Sequence, residues 1–247
     1  MPNFVFKFLH TMALILIIET STEVCSVSLT KDGKLIDLIE SGEGQNHARL
    51  TSVFAETLLK RNNINPGELN AIAVSKGPGS YTGLRIGAST AKGICYAAKI
   101  PLIAVGTLEA MAKHVALNHE KFGISSEGKT LYCPMIDARR MEVYSMLIGE
   151  NGCILKPITA EIIDESFLAP ELSTNTVVFF GNGSAKCQKV IKSSNALFLS
   201  GISASAQYMI ELVWEAYNNN HFEDVAYFEP FYLKDFVATV SKKNMLG

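Results

Sequence analysis

At 247 residues, 48% hydrophobic and 19% charged, the chain has enough apolar material for one large globular domain or two modest ones. Its formal net charge of −2 argues against a protein that holds nucleic acid unaided, because that work needs a basic footprint. Five widely spaced cysteines (Cys25, Cys95, Cys133, Cys153 and Cys187) include no Cys-x-x-Cys pair. They indicate neither a disulfide framework nor a zinc site, and a reducing cytoplasm is the expected home.

The N-terminal MPNFVFKFLHTMALILII has a basic residue before an apolar core, as a secretory signal does, but it runs into Glu19 with no small-residue cleavage site. Residues 13–18 read as a buried first strand and residues 1–11 as an extension, Met12 being an equally good start. No apolar run approaches the ~20 residues that span a bilayer, so no membrane is expected. Strands follow at 24–29 and 34–40, with Asp32-Gly33 as the hairpin turn between them. A helix spans about 47–61, with Asn46 as its cap and Leu50, Val53, Phe54, Thr57 and Leu58 on one face, and Asn65-Pro66 stops it. A buried strand at 71–75 leads into a glycine loop at 77–80. A second helix then covers about 82–98, and a short strand covers 102–105.

This β-β-β-α-β-α-β order repeats. IETSTEVCSVSLTKDG (18–33) aligns with IDARRMEVYSMLIGENG (136–152), and VSKGPGS (74–80) aligns with VFFGNGS (178–184). Two matches in the same order imply duplication and two related α/β units facing across a cleft. The first unit is placed at 1–105, completed by part of 222–247, and the second at 106–221.

The glycine loop is the first candidate site. Gly77, Gly79, Ser80, Thr82 and Gly83 have the layout of a loop that cradles phosphate at a helix N-terminus. Counted from Gly77, however, a P-loop needs glycine and lysine where Thr82 and Gly83 stand, and a dinucleotide fingerprint needs its third glycine at Thr82. A tight turn with Ser80 or Thr82 capping the helix is the preferred reading. Ser75 lies one residue short of a Gly-x-Ser-x-Gly elbow and reads as a strand-end serine. His47 reads as a surface or capping histidine. His114 and His119 are five apart, so they point to different sides of a helix and do not chelate. Lys186, Lys189 and Lys192 read as a solvated face. Glu19, Thr20, Asp137 and Arg139, with Arg140, end strands at the cleft edge, where ligand contact and an internal ion pair are both open. No catalytic residue and no metal ligand set is assigned.

LILIIETST (14–22), GPGSYTGLRIG (77–87) with AKGI (91–94), PLIAVGTLEAMA (101–112), IDARRMEVY (136–144) and EPFYL (229–233) together resemble the TsaB (YeaZ) family. The resemblance is densest over 12–110. It implies the duplicated actin/Hsp70/sugar-kinase fold. It also implies an accessory role in placing threonylcarbamoyl on adenosine 37 of tRNA, beside the catalytic paralogue TsaD and the ATPase TsaE. The assembly's substrates would be threonylcarbamoyl-adenylate and tRNA, with tRNA met only through the complex and a homodimer formed by the chain alone. Where TsaD-like proteins carry His-x-x-x-His, this chain has Thr107 and Met111; where nucleotide-binding relatives carry Asp-x-Gly-Thr/Ser, it has Glu19-Thr-Ser-Thr22. A non-catalytic scaffold with no tightly bound cofactor, and at most weak ATP or ADP binding, is therefore expected. A stand-alone glycoprotease-like peptidase and a small-molecule kinase are the alternatives. The resemblance places the partner surface on the helices at 47–61 and 82–98. There Ala48, Ala55 and Leu59 form a second apolar stripe, and Gly83, Gly87, Ala91 and Ile94 a small-residue one.

Overall fold

The computed structural model describes residues 12–42, 46–125 and 129–234; the expected extension at 1–11 lies outside the described residues. The first unit runs β1 (Leu14–Glu19), β2 (Cys25–Lys31), β3 (Lys34–Ser41), α1 (His47–Arg61), β4 (Ala71–Ser75), α2 (Tyr81–Ala98) and β5 (Leu102–Val105), and α3 (Thr107–Leu117) leads out of it. The second runs β6 (Thr130–Asp137), β7 (Glu142–Gly149), β8 (Ile154–Ile162), α4 (Ala169–Leu172), β9 (Thr176–Phe180), α5 (Ser184–Cys187) and β10 (Ala196–Phe198), followed by α6 (Ile210–Asn218).

The sheet orders are β3-β2-β1-β4-β5 and β10-β9-β6-β7-β8. Read from β8, the second is the first repeated, and the helices between β8, β9 and β10 have shrunk to four residues each. In each unit the first three strands pair antiparallel and the last two parallel. The Asp32-Gly33 hairpin forms as its sequence demands, with φ of 52° and 73°.

Strand periodicity decides what covers each face. Leu16, Ile18, Val27, Leu29, Ile72 and Val74 face α1 and α2, while Ile15, Ile17, Ala71, Ala73 and Ile103 face Met209, Ile210 and Val213 at the start of α6. In the second sheet, Tyr132, Ile136, Met146, Val178 and Phe180 meet Leu108, Met111, Ala112 and Val115 of α3. Its opposite face, with Cys133, Met135, Val143 and Phe179, packs on Leu168, Leu172, Cys187 and Ile191. The helix that leaves the first unit thus covers the second sheet, and the helix that ends the second covers the first.

Residues 222–234 return to the first unit. Glu223 bridges to Leu102, Phe228 is buried against the α1–α2 side of the sheet, and the Phe231 N–H donates to the Lys76 carbonyl at 2.7 Å. Lys234 then reaches across to an ion pair with Glu142 of β7.

Several expectations about the two helices need correction. Asn46 precedes α1 but its side chain makes no capping hydrogen bond. The buried face of α1 is rotated from the expected one, with His47, Leu50, Thr51, Ala55, Leu58 and Leu59 inside and Val53 42% exposed. Ala55 and Leu59, expected to face a partner, belong to the core because α1 lies in the angle between β2 and α2. Gly83, Gly87 and Ala91 are likewise buried, and Ile94 packs half-buried against the same core. The small stripe on α2 allows close approach to this chain's own β1 end. Ala48 alone of the expected partner-facing set is exposed.

Candidate functional site

The site candidates of the first unit gather where β1 and β4 end. Gly77 has φ of +103°, a conformation open to glycine, and its carbonyl accepts from the Thr107 N–H at 3.0 Å. Ser80 caps α2, accepting from the Gly83 N–H at 3.3 Å; Thr82 is not the cap. The Ser80 N–H donates to the Ser21 carbonyl at 2.7 Å, and Thr20 Oγ1 donates to the Gly83 carbonyl at 2.8 Å. A methyl group built on Gly83 would lie 2.0 Å from the Thr20 carbonyl oxygen, and one on Gly79 would lie 2.3 Å from that of Ser21. Residues 20–22 therefore rest directly on the glycine loop, taking its Ser80 N–H donor and its Gly83 carbonyl acceptor. Phosphate does not fit there, because two backbone carbonyls already occupy the approach and carry the wrong partial charge.

Glu19 sits beneath this contact, 1% exposed. Its Oε1 accepts from the Ser21 N–H at 2.6 Å and from Ser75 Oγ at 2.9 Å. Burial pushes its pKa up, and these hydrogen bonds oppose the shift in part. His47 closes the other side: it is buried, with Nε2 2.9 Å from the Thr22 carbonyl, not at the surface as expected. Thr107, at the start of α3, is fully buried. Its hydroxyl and that of Ser21 find no partner in the structure. Among the described residues no group of three or more His, Cys, Asp or Glu side chains is placed to hold a metal ion.

The second unit presents a different arrangement at the matching place. Asp137 is exposed at the end of β6, and its Oδ1 accepts from Lys186 Nζ at 2.6 Å and from the Arg139 N–H at 2.7 Å. Lys186, read from the sequence as part of a solvated face, also donates to the Arg140 and Glu142 carbonyls and so fastens the β6–β7 hairpin from below. The Asp137 N–H donates to Asn182 Oδ1, and Asn182 Nδ2 donates to Glu23 at 2.6 Å. That last bond crosses the cleft mouth from one unit to the other. Glu19 and Thr20 are thus sealed inside, whereas Asp137 and Arg139 stand at the rim. The sequence holds little sign of the Asp137–Lys186 pair beyond a lysine soon after Gly-Asn-Gly-Ser.

A surface groove lies elsewhere. Ala48, Tyr81, Thr82, Arg85, Ile86 and Ser89 are among the residues lining an open depression of about 590 Å³ along α1 and α2.

The two units repeat one α/β topology, and the glycine loop of the first is filled by its own chain, which defines the class of the protein as a duplicated α/β fold. The family model described as "TsaD: tRNA N6-adenosine threonylcarbamoyltransferase" matches residues 42–242. The chain is similar to the tRNA threonylcarbamoyladenosine biosynthesis protein TsaB of Haemophilus influenzae, at 30% identity over 91% of this chain and 94% of that one. It is similar to TsaB of Escherichia coli K12 at the same identity, over 91% of this chain and 96% of that one. The solved structure of YeaZ from Pseudomonas aeruginosa superimposes with a TM-score of 0.74 at 22% identity, over 90% of this chain and all of the other. The chain belongs to the TsaB (YeaZ) family. Among the described residues no helix is long and apolar enough to cross a membrane.

Proposed function

We propose that this protein serves tRNA threonylcarbamoyladenosine biosynthesis as a non-catalytic scaffold that pairs with a TsaD-like catalytic paralogue and works alongside a TsaE-like ATPase. Kinship to proteins of that name supports the pathway. The observation that carries the non-catalytic reading is the filled glycine loop. The Ser80 N–H, a donor that a nucleotide-using relative would turn to phosphate, is spent on the Ser21 carbonyl, and the Thr20 and Ser21 backbone closes the approach to Gly83 and Gly79. ATP or ADP accordingly binds the isolated chain weakly, and no cofactor is held tightly. A peptidase needs an activated nucleophile. Ser75 instead donates to a buried carboxylate, and among the described residues no histidine hydrogen-bonds to it.

Because Ala55, Leu59, Gly83, Gly87 and Ala91 are core, the partner surface reduces to the exposed side of the same helices, centred on Ala48, Arg85, Ile86 and Ser89. The same face pairs two copies when the partner is missing. The test is deletion of the gene, with threonylcarbamoyladenosine measured in tRNA hydrolysates, together with purification of the tagged chain. The nucleoside should fall sharply, a TsaD-like protein should co-elute, and Ala48→Arg should fold normally yet lose that partner. Transfer of threonylcarbamoyl to tRNA by the pure chain alone would overturn the scaffold reading.

A further inference from the structure

Three hairpin turns of this chain contain residues at positive φ, and they are built differently. The β2–β3 turn uses Asp32-Gly33 and the β7–β8 turn uses Asn151-Gly152, residue types that tolerate the left-handed region. The β6–β7 turn instead places Arg139 at φ 73° and Arg140 at φ 52°. Two consecutive arginines there are strained relative to the Asx-Gly pairs used elsewhere, and strain of this kind gathers where side chains have work to do. The turn is held in place by two backbone hydrogen bonds, from Ala138 N–H to the Glu142 carbonyl and from Glu142 N–H to the Arg139 carbonyl, and by one from Arg139 N–H to the Asp137 carboxylate.

Charge pairing around the turn leaves both guanidinium groups over. Asp137 is taken by Lys186 and Glu142 by Lys234. Glu23, the acid facing from the other unit, is held by Asn182. Arg139 and Arg140 are exposed and form no ion pair among the described residues. Two unpaired, fork-shaped cations stand side by side on a rigid turn, with two further ammonium groups fixed next to them. That arrangement matches a chain of phosphodiesters, each of which a guanidinium can grip through two parallel hydrogen bonds.

We propose that the Arg139–Arg140 turn is an RNA-backbone contact, through which this subunit touches the ribose-phosphate chain of the tRNA at the cleft rim. The inference rests on the pathway reading above. With a net charge of −2 over the whole chain, the contact adds local grip and not global attraction.

The test uses the full chain in complex with its co-purified TsaD-like partner and a fluorescein-labelled, unmodified tRNA transcript, followed by anisotropy from 50 to 200 mM salt. Arg139→Asn with Arg140→Gly gives the turn the residue types it prefers, so it should raise the melting temperature by about 2–4 °C. The same variant should weaken tRNA binding about tenfold or more and reduce the salt slope by about 1.5. Lys189→Gln with Lys192→Gln removes the same charge from another exposed place and should change neither. Absence of wild-type binding would overturn the proposal, as would an unchanged affinity in the turn variant. Equal weakening by both double variants would also overturn it, since it would mean diffuse attraction. A turn variant that keeps tRNA but loses a co-purifying protein would assign the turn to an acidic protein surface instead. Gene deletion tests the pathway separately. If deletion abolishes the modified nucleoside while the turn variant restores it fully and binds tRNA at wild-type strength, the inference fails alone.

Discussion

Gly83→Ala and Gly93→Ala make the same chemical change on the same helix and should have opposite effects. In an exposed helix interior, glycine to alanine stabilises by roughly 0.5–1 kcal/mol, because the unfolded chain loses freedom. Gly93 is exposed, and a methyl group there meets nothing within 4 Å, so Gly93→Ala should gain that amount. At Gly83 the methyl would stand 2.0 Å from the Thr20 carbonyl oxygen, a backbone atom that cannot rotate away. Residues 20–21 must shift, at an overpacking cost of about 1–3 kcal/mol. The shift also breaks the Thr20–Gly83 and Ser80–Ser21 hydrogen bonds, each contributing about 1 kcal/mol. Offset by the same propensity gain, the net loss is about 2–4 kcal/mol, or roughly 5–15 °C of melting temperature for a chain of this size. Thermal melts followed by circular dichroism on the full chain decide it. If Gly83→Ala melts at or above wild type, residues 20–22 do not seal the glycine loop, and the case for a filled phosphate site collapses with them.

Ala55→Arg puts a charge where the native methyl is 5% exposed, and it should destabilise the fold by roughly 3 kcal/mol or more instead of merely blocking a partner. A variant that melts like wild type would place α1 differently. Glu19→Gln should change how stability depends on pH. Burial raises the Glu19 pKa above its ordinary 4.5, so the folded chain holds the proton longer than the unfolded one. This contribution is complete below about 4.5 and is lost as pH rises through the elevated folded value. Urea titrations at pH 5 and pH 8 should show a smaller fall for the neutral variant, and identical falls would show that Glu19 titrates normally.

The strand and helix limits of the first unit were legible because apolar period, Asp32-Gly33, the glycine loop and Asn65-Pro66 all agree there. What could not be read was orientation. A stripe of Gly83, Gly87 and Ala91 signals close approach of another backbone, but not whose. The answer, Thr20, lies more than sixty positions away and is reached only once β1 pairs with β4. The same distance problem hid the partner of Asp137, since Lys186 comes next to β6 only through β9. Positive φ at Arg139 and Arg140 was invisible for another reason. Arginine carries no local preference for it, so the turn is imposed by the paired strands and by Lys186 beneath.

The exchange of α3 and α6 between the sheets also has a consequence for biosynthesis. A ribosome releases the first sheet with Ile15, Ile17, Ala73 and Ile103 bare on one side. Apart from Ala110 of α3, the helical residues that cover them, 206–213, are made only much later. Meanwhile α3 carries Leu108, Met111 and Val115 with no sheet to rest on until β6, β7 and β9 exist. The nascent first half is therefore a sticky intermediate that holdase chaperones should engage until residues 206–213 have emerged.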